Sequence, residues 1–141
     1  MEENMRIDHL GIVVQSIEAG IIKWKNIFDY DQMTEIVINS IQKVRVVFLK
    51  KQNSTTIKLI EPLNQDSPIY KFAKSGGGLH HICFKCDDLN NEVERFKDLG
   101  FRILTEPEPG EAFCNQKIAF IYAKDGLNIE LIDTELKFGL L

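Results

Sequence analysis

Apolar and polar positions along this chain fall into a strand, helix, strands rhythm that is written twice. Ile7 to Val14 is rich in β-branched residues and reads as a strand, ending at Gln15-Ser16, where Ser16 can cap a helix. Ile17, Ile21, Trp24 and Phe28 then recur at helical spacing and make one apolar face. Tyr30 to Ile38, Val44 to Leu49 and Thr55 to Ile60 are expected as strands, the last stopped at Pro62, which cannot continue a ladder. Residues 64–78 form a joint, with a short helix expected around Ser67, Ile69 and Phe72 and a bend at Gly76-Gly77-Gly78. The plan then returns. His81 to Cys86 predicts a strand, Asp88 a helix cap, and Leu89, Val93, Phe96 and Leu99 an apolar stripe closed by Gly100. Phe101 to Leu104, Lys117 to Tyr122 and Leu127 to Ile132 predict the remaining strands, and Glu106-Pro107-Glu108-Pro109-Gly110 a loop.

One constant offset of 72 positions relates the two passages. It pairs His9 with His81, Trp24 with Phe96, Phe48 with Phe120, and Ile57-Lys58-Leu59-Ile60 with Ile129-Glu130-Leu131-Ile132. The expected class is therefore α+β: two paired βαβββ modules, residues 5–63 and 77–135 of a single domain over 1–141, forming a curved sheet around a central cleft. Each unit exposes one apolar sheet face after its helix covers the other, and joining the two faces buries both.

Strand alternation then sorts the side chains. Leu10, Ile12 and Val14 with Ile82, Phe84 and Cys86 form the helix-facing set; His9, Gly11 and Val13 with His81, Cys83 and Lys85 face the cleft. In the last strands Ile57, Leu59, Ile129 and Leu131 are core, which leaves Lys58 and Glu130 in the cleft. Two imidazoles and a carboxylate converging from three strands make a first shell for a divalent metal with positions left open for substrate. The competing reading is a pair of satisfied core histidines; their matched positions favour the metal.

Composition narrows the classes further. The 141 residues are 44% hydrophobic and carry a formal charge of −4, with a pI near 5.4. That balance offers no basic footprint for nucleic acid. No apolar run approaches the roughly 20 residues that span a bilayer, and Met1-Glu2-Glu3-Asn4-Met5-Arg6 lacks the apolar stretch of a secretory signal. Three cysteines exclude a complete disulfide framework and favour a reducing, cytoplasmic setting.

Asp8-His9-Leu10-Gly11-Ile12, Glu61-Pro62-Leu63, Asp66-Ser67-Pro68-Ile69, Gly78-Leu79-His80-His81-Ile82 and Asn128-Ile129-Glu130-Leu131 together resemble the vicinal oxygen chelate (glyoxalase/bleomycin resistance/dioxygenase) superfamily, above all its methylmalonyl-CoA epimerase and glyoxalase I branches. The likeness runs from about Arg6 to Asp133. It implies a glyoxalase-like fold, frequent homodimers, and a divalent metal (Co, Mn, Ni, Zn or Fe) between modules. It implies an isomerase or lyase that moves a proton α to a carbonyl, on an acyl-CoA or similar small substrate. Carried over, the metal ligands fall on His9, His81 and Glu130, with Glu130 doubling as proton acceptor.

The fourth ligand position falls on Lys58, where the family has Gln or Glu. An ammonium cannot ligate and its charge opposes a divalent ion. Three readings follow. Lys58 pairs with Glu130, no ion binds, and the protein is a non-catalytic binder of small molecules. Alternatively His9, His81 and Glu130 hold an ion by themselves, as the Fe(II) triad of extradiol dioxygenases does, although His80 is the only further histidine. In the third, Lys58 itself holds a developing enolate oxygen as a catalytic group. Val44, Val46 and Phe48 offer no acid for a second proton-transfer group.

Other features carry less. Cys83 and Cys86 should lie on opposite strand faces, which argues against a redox or zinc pair. His80, matched to Asp8, is expected to point away from the metal. The glycine triplet lacks the lysine and helix of a phosphate loop. Arg45, Lys85 and Lys117 could meet CoA phosphates, though scattered basic residues are usually solvated. Cys114 could gate the cleft, a plain surface thiol being the alternative.

Overall fold

The computed structural model describes residues 5–141, so the reading of the first four residues lies outside it. Strand β1 (Arg6–Val13) leads to helix α1 (Ile17–Phe28), whose first turn is capped by the Ser16 hydroxyl accepting from the Ala19 N–H. Short strands β2 (Asp31–Gln32) and β3 (Val37–Asn39) precede β4 (Val44–Lys50) and β5 (Thr56–Pro62). After helix α2 (Tyr70–Lys74), β6 (Gly78–Lys85) runs into α3 (Leu89–Asp98), capped by the Asp88 carboxylate accepting from the Asn91 N–H. Strands β7 (Arg102–Pro109), β8 (Lys117–Tyr122) and β9 (Asn128–Ile132) follow, with a 3-10 turn at Glu111–Phe113.

All nine strands form one open, curved sheet in the order β2-β4-β5-β1-β6-β9-β8-β7, with β3 also on β4. The centre is the antiparallel pair β1–β6, flanked by parallel β5 and β9. Three apolar clusters result. Leu10, Ile12, Val14, Ile57 and Leu59 pack under α1, and Ile82, Phe84, Ile129 and Leu131 pack under α3. Val13, Val44, Val46, Phe48, Cys83, Phe113 and Ile118 line the concave side between halves. The expected parity therefore holds for these residues.

Four expectations need correction. The strand expected over Tyr30 to Ile38 is broken after Gln32, because Thr34 leaves the sheet line to bridge Leu140 while its hydroxyl accepts the Phe48 N–H. The proline-rich segment expected as a loop is the second half of β7. A β7 at the sheet edge pairs only with β8, and its register shifts between Thr105 and Glu108, so Pro107 and Pro109 cost little of the ladder. The sixth strand starts at Gly78 rather than His81, and the short helix starts at Tyr70 rather than near Ser67. Among the described residues no helix is long and apolar enough to cross a membrane.

Candidate metal centre

Two neighbouring rungs of the sheet bring the matched residues together. One runs Phe48, Lys58, Gly11, His81 across β4, β5, β1 and β6. The other runs Phe120, Glu130, Cys83, His9 across β8, β9, β6 and β1. Each is the offset copy of the other, which is why both histidines arrive at one point.

Each histidine also follows a bulge. Pairing jumps from Ile7–Phe84 to His9–Cys83, leaving Asp8 as an extra residue in β1, and from Gly11–His81 to Ile12–Leu79, leaving His80 as an extra residue in β6. A bulge interrupts strand alternation and re-aims the side chain. Hence His80 does not point away as expected: it lines the cleft, and its Nδ1 lies 2.8 Å from Nδ1 of His81. Asp8 Oδ2 lies 2.7 Å from Nδ1 of His9 in the same way. The match of Asp8 with His80 was visible in the sequence, but the bulge that re-aims both appears only in the strand pairing.

At the floor, His9 Nε2 and His81 Nε2 each lie 3.0 Å from Glu130 Oε1 and 3.3 Å from one another. All three residues are buried, His9 and Glu130 completely. Donors sharing an ion at about 2.0–2.2 Å stand roughly 3 Å apart, so this spacing fits a tetrahedral or octahedral face. Asp8 Oδ2 lies on Nδ1 of His9, so a ring carrying its proton there turns its Nε2 lone pair toward Glu130 Oε1, the arrangement in which both atoms could ligate one cation. Glu130 Oε2 is buried with no hydrogen-bond partner, the kind of orphan a ligand satisfies.

Burial opposes ionisation of Glu130, yet Lys58 and the two imidazoles outweigh it and hold the carboxyl well below its usual value. Burial likewise opposes ionisation of Asp8, and the His9 and Lys137 contacts outweigh it. Burial pushes His81 down to about 3 and lowers His80, so both rings are neutral at pH 7. Lys58 Nζ stands 3.7 Å from Glu130 Oε1, with the Phe48 and Phe113 ring centroids at 5.7 and 5.2 Å.

Sequence reasoning missed two residues. Lys137, from the segment after β9, is buried with Nζ 3.2 Å from Asp8 and 5.2 Å from the Phe48 centroid. Phe113 stacks on His9 at 6.1 Å. Neither has an offset mate that marks it. Other candidates are not at the centre: Arg45 is held by Glu18 and Glu61, Lys117 and Cys114 are exposed, and the Cys86 thiol donates to the Ile132 carbonyl. Beside Lys58 and Glu130 opens a cavity of about 170 Å³ walled by Val46, Ile60, Leu104 and Phe120, with Asn39, Gln42 and Asn128 as amides.

A half-sheet plan repeated along the chain, with one histidine per half and a carboxylate between them, gives the glyoxalase-like fold a cluster that could hold a metal ion. Residues 8–120 match the Glyoxalase/Bleomycin resistance protein/Dioxygenase superfamily, and the chain belongs to it. It is 35% identical to the mitochondrial methylmalonyl-CoA epimerase of Homo sapiens, over 89% of this chain and 72% of that protein. It is 30% identical to the ethylmalonyl-CoA/methylmalonyl-CoA epimerase of Cereibacter sphaeroides, over 89% and 96%. A variant of the Streptomyces coelicolor methylmalonyl-CoA epimerase, solved with 2-nitronate-propionyl-CoA, superposes with a TM-score of 0.80 at 30% identity, covering 94% of this chain and 96% of that one.

Proposed function

We propose that this protein is a metal-dependent epimerase that exchanges a proton α to the carbonyl of an acyl-CoA thioester of the methylmalonyl-CoA kind. The observation that carries the reading is the meeting of His9, His81 and Glu130 at 3.0–3.3 Å in a chain so similar to epimerases. In this reading residues 5–63 and 77–135 act as two modules of one domain, and the protein works as a cytoplasmic homodimer.

His9, His81 and Glu130 would hold a divalent ion: Co, Mn, Ni, Zn or Fe suits two imidazoles and one carboxylate. When bound, such an ion supplies Lewis acidity that lowers the energy of negative charge developing on a carbonyl oxygen. The chain's own groups do the rest. Lys58 places a fixed positive charge beside that oxygen in a water-poor cavity, where it acts strongly. Glu130 keeps Oε2 free to accept a proton. His80, neutral through burial and on the cavity lining, is the second proton-transfer group an epimerisation needs: with its Nδ1 accepting from Nδ1–H of His81, its own proton sits on Nε2, available to return to the α-carbon. Val46, Ile60 and Ile118 exclude water and take a short alkyl branch.

The 3.7 Å contact of Lys58 with Glu130 favours a second reading, a binder that holds small molecules without an ion. Metal analysis of protein purified without an affinity tag, paired with solvent-deuterium incorporation into methylmalonyl-CoA, separates the two. α-Deuteration that depends on added divalent metal and stops with chelator is the expected outcome. Substrate left unlabelled with divalent metal supplied in excess would establish the binder.

A further inference from the structure

The charges at the centre cancel before any ion is counted. Glu130 and Asp8 bring two negative charges, Lys58 and Lys137 two positive, and their side chains are 0, 14, 6 and 6% exposed. The four form one contiguous chain. Lys58 lies 3.7 Å from Glu130, His9 bridges Glu130 at 3.0 Å and Asp8 at 2.7 Å, and Lys137 lies 3.2 Å from Asp8. Both ammonium groups sit within 5.2–5.7 Å of the Phe48 and Phe113 centroids.

A divalent ion added to this set leaves two uncompensated positive charges in a chamber walled by Phe48, Phe113 and Phe120. Burying uncompensated charge is strongly unfavourable. An anion entering alone meets a lysine already committed to Glu130. Both penalties fall when the two arrive together, and a dianion cancels the ion's charge in full: the ion takes over Glu130, and Lys58 is released to the anion. The cavity beside them has the room and the amide donors for a small oxygen ligand, with Asn39, Gln42 and Asn128 on its lining.

We infer that a divalent cation and a small carboxylate-type anion bind this centre as a mutually dependent pair, with Lys58 and Lys137 suppressing binding of the cation alone. The inference rests on His9, His81 and Glu130 being the ion's ligands. Coupling of this kind is reciprocal, so each partner raises the other's affinity by the same factor.

The test is calorimetric titration of the chelator-stripped full chain with Co²⁺, with and without saturating malonate, the free Co–malonate complex being accounted for by a protein-free titration. Affinity at least about tenfold higher with malonate is expected, within the usual range of coupling between sites. Lys58→Met removes the charge without supplying a strong ligand; it should take up Co²⁺ alone about tenfold more tightly and gain less than about threefold from malonate. Lys137→Met, one residue removed from the ligand set, should shift both quantities the same way and serves if the first variant does not fold. Equal Co²⁺ affinity with and without malonate in the natural protein overturns the inference and leaves the metal centre standing. Failure to take up Co²⁺ under either condition overturns the metal reading as well.

Discussion

The two halves share a backbone and differ in chemistry. Each has a histidine after a one-residue bulge, and each bulge residue reaches Nδ1 of the ring that follows. In the first half that residue is Asp8, an anion held by Lys137; in the second it is His80, a neutral ring beside Phe72 and Phe120. The parallel neighbour strand carries Lys58 in the first half and Glu130 in the second. The opposing rung position is Gly11 against Cys83. The repeated plan gives a symmetric frame, and three pairs of unlike residues make its two halves chemically different.

The largest break in that arrangement is Glu130→Gln. It should abolish metal uptake and leave Lys58 buried without its partner, a loss of about 3–5 kcal/mol for a broken buried pair, read by urea denaturation of the ion-free protein. Gly11→Ala comes next. A methyl group there would stand 2.2 Å from Cε1 of His81, and the ring, far larger than a flexible side-chain tip, must move. Metal affinity should fall about 100-fold with little change in the first half's Asp8–His9 contact, as titration and the His ring NMR signals would report.

The unlike bulge residues give a finer comparison. Asp8→Asn should cost about 10–100-fold in metal affinity, since it removes the charge that orients His9 and fixes its proton; His80→Gln, replacing a neutral partner, should cost less than about tenfold. Equal losses would mean that the two bulges act alike after all. Lys58→Glu should raise metal affinity severalfold by exchanging a repelling cation for a ligand, and unchanged affinity would place Lys58 outside the ion's reach. The last test is in acid. His81 titrates in the fold at about 3 against an ordinary 6.5, so the unfolded chain binds the extra proton between those values and stability falls as pH drops below about 6.5. Glu130 and Asp8, held low in the fold, add losses of the same sign below their ordinary carboxylate range. Each group contributes at most about 1.4 kcal/mol per pH unit, measurable as the thermal midpoint of ion-free protein from pH 7 to 4.

Most of this architecture was legible in residue order. Alternation in β1, β5, β6 and β9 sorted core from cleft correctly, because those strands are central and packed on both faces. Both helix caps were legible because Ser16 and Asp88 accept locally. What stayed hidden was set by long-range contact. Thr34 breaks its strand for the sake of Leu140, Lys137 reaches back to Asp8 across the whole chain, and Pro107 and Pro109 sit in a strand only because it is an edge. His80 was misplaced for a subtler reason: one unpaired residue reverses parity, and nothing in its neighbours marks the slip.

Those prolines have a further consequence. An open sheet presents two margins where a stray strand could add, which is how sheet proteins begin to polymerise. Here one margin is a prolyl strand with broken register, and the other is covered by two scraps of two and three residues. Neither offers a run of free amides long enough to template a newcomer.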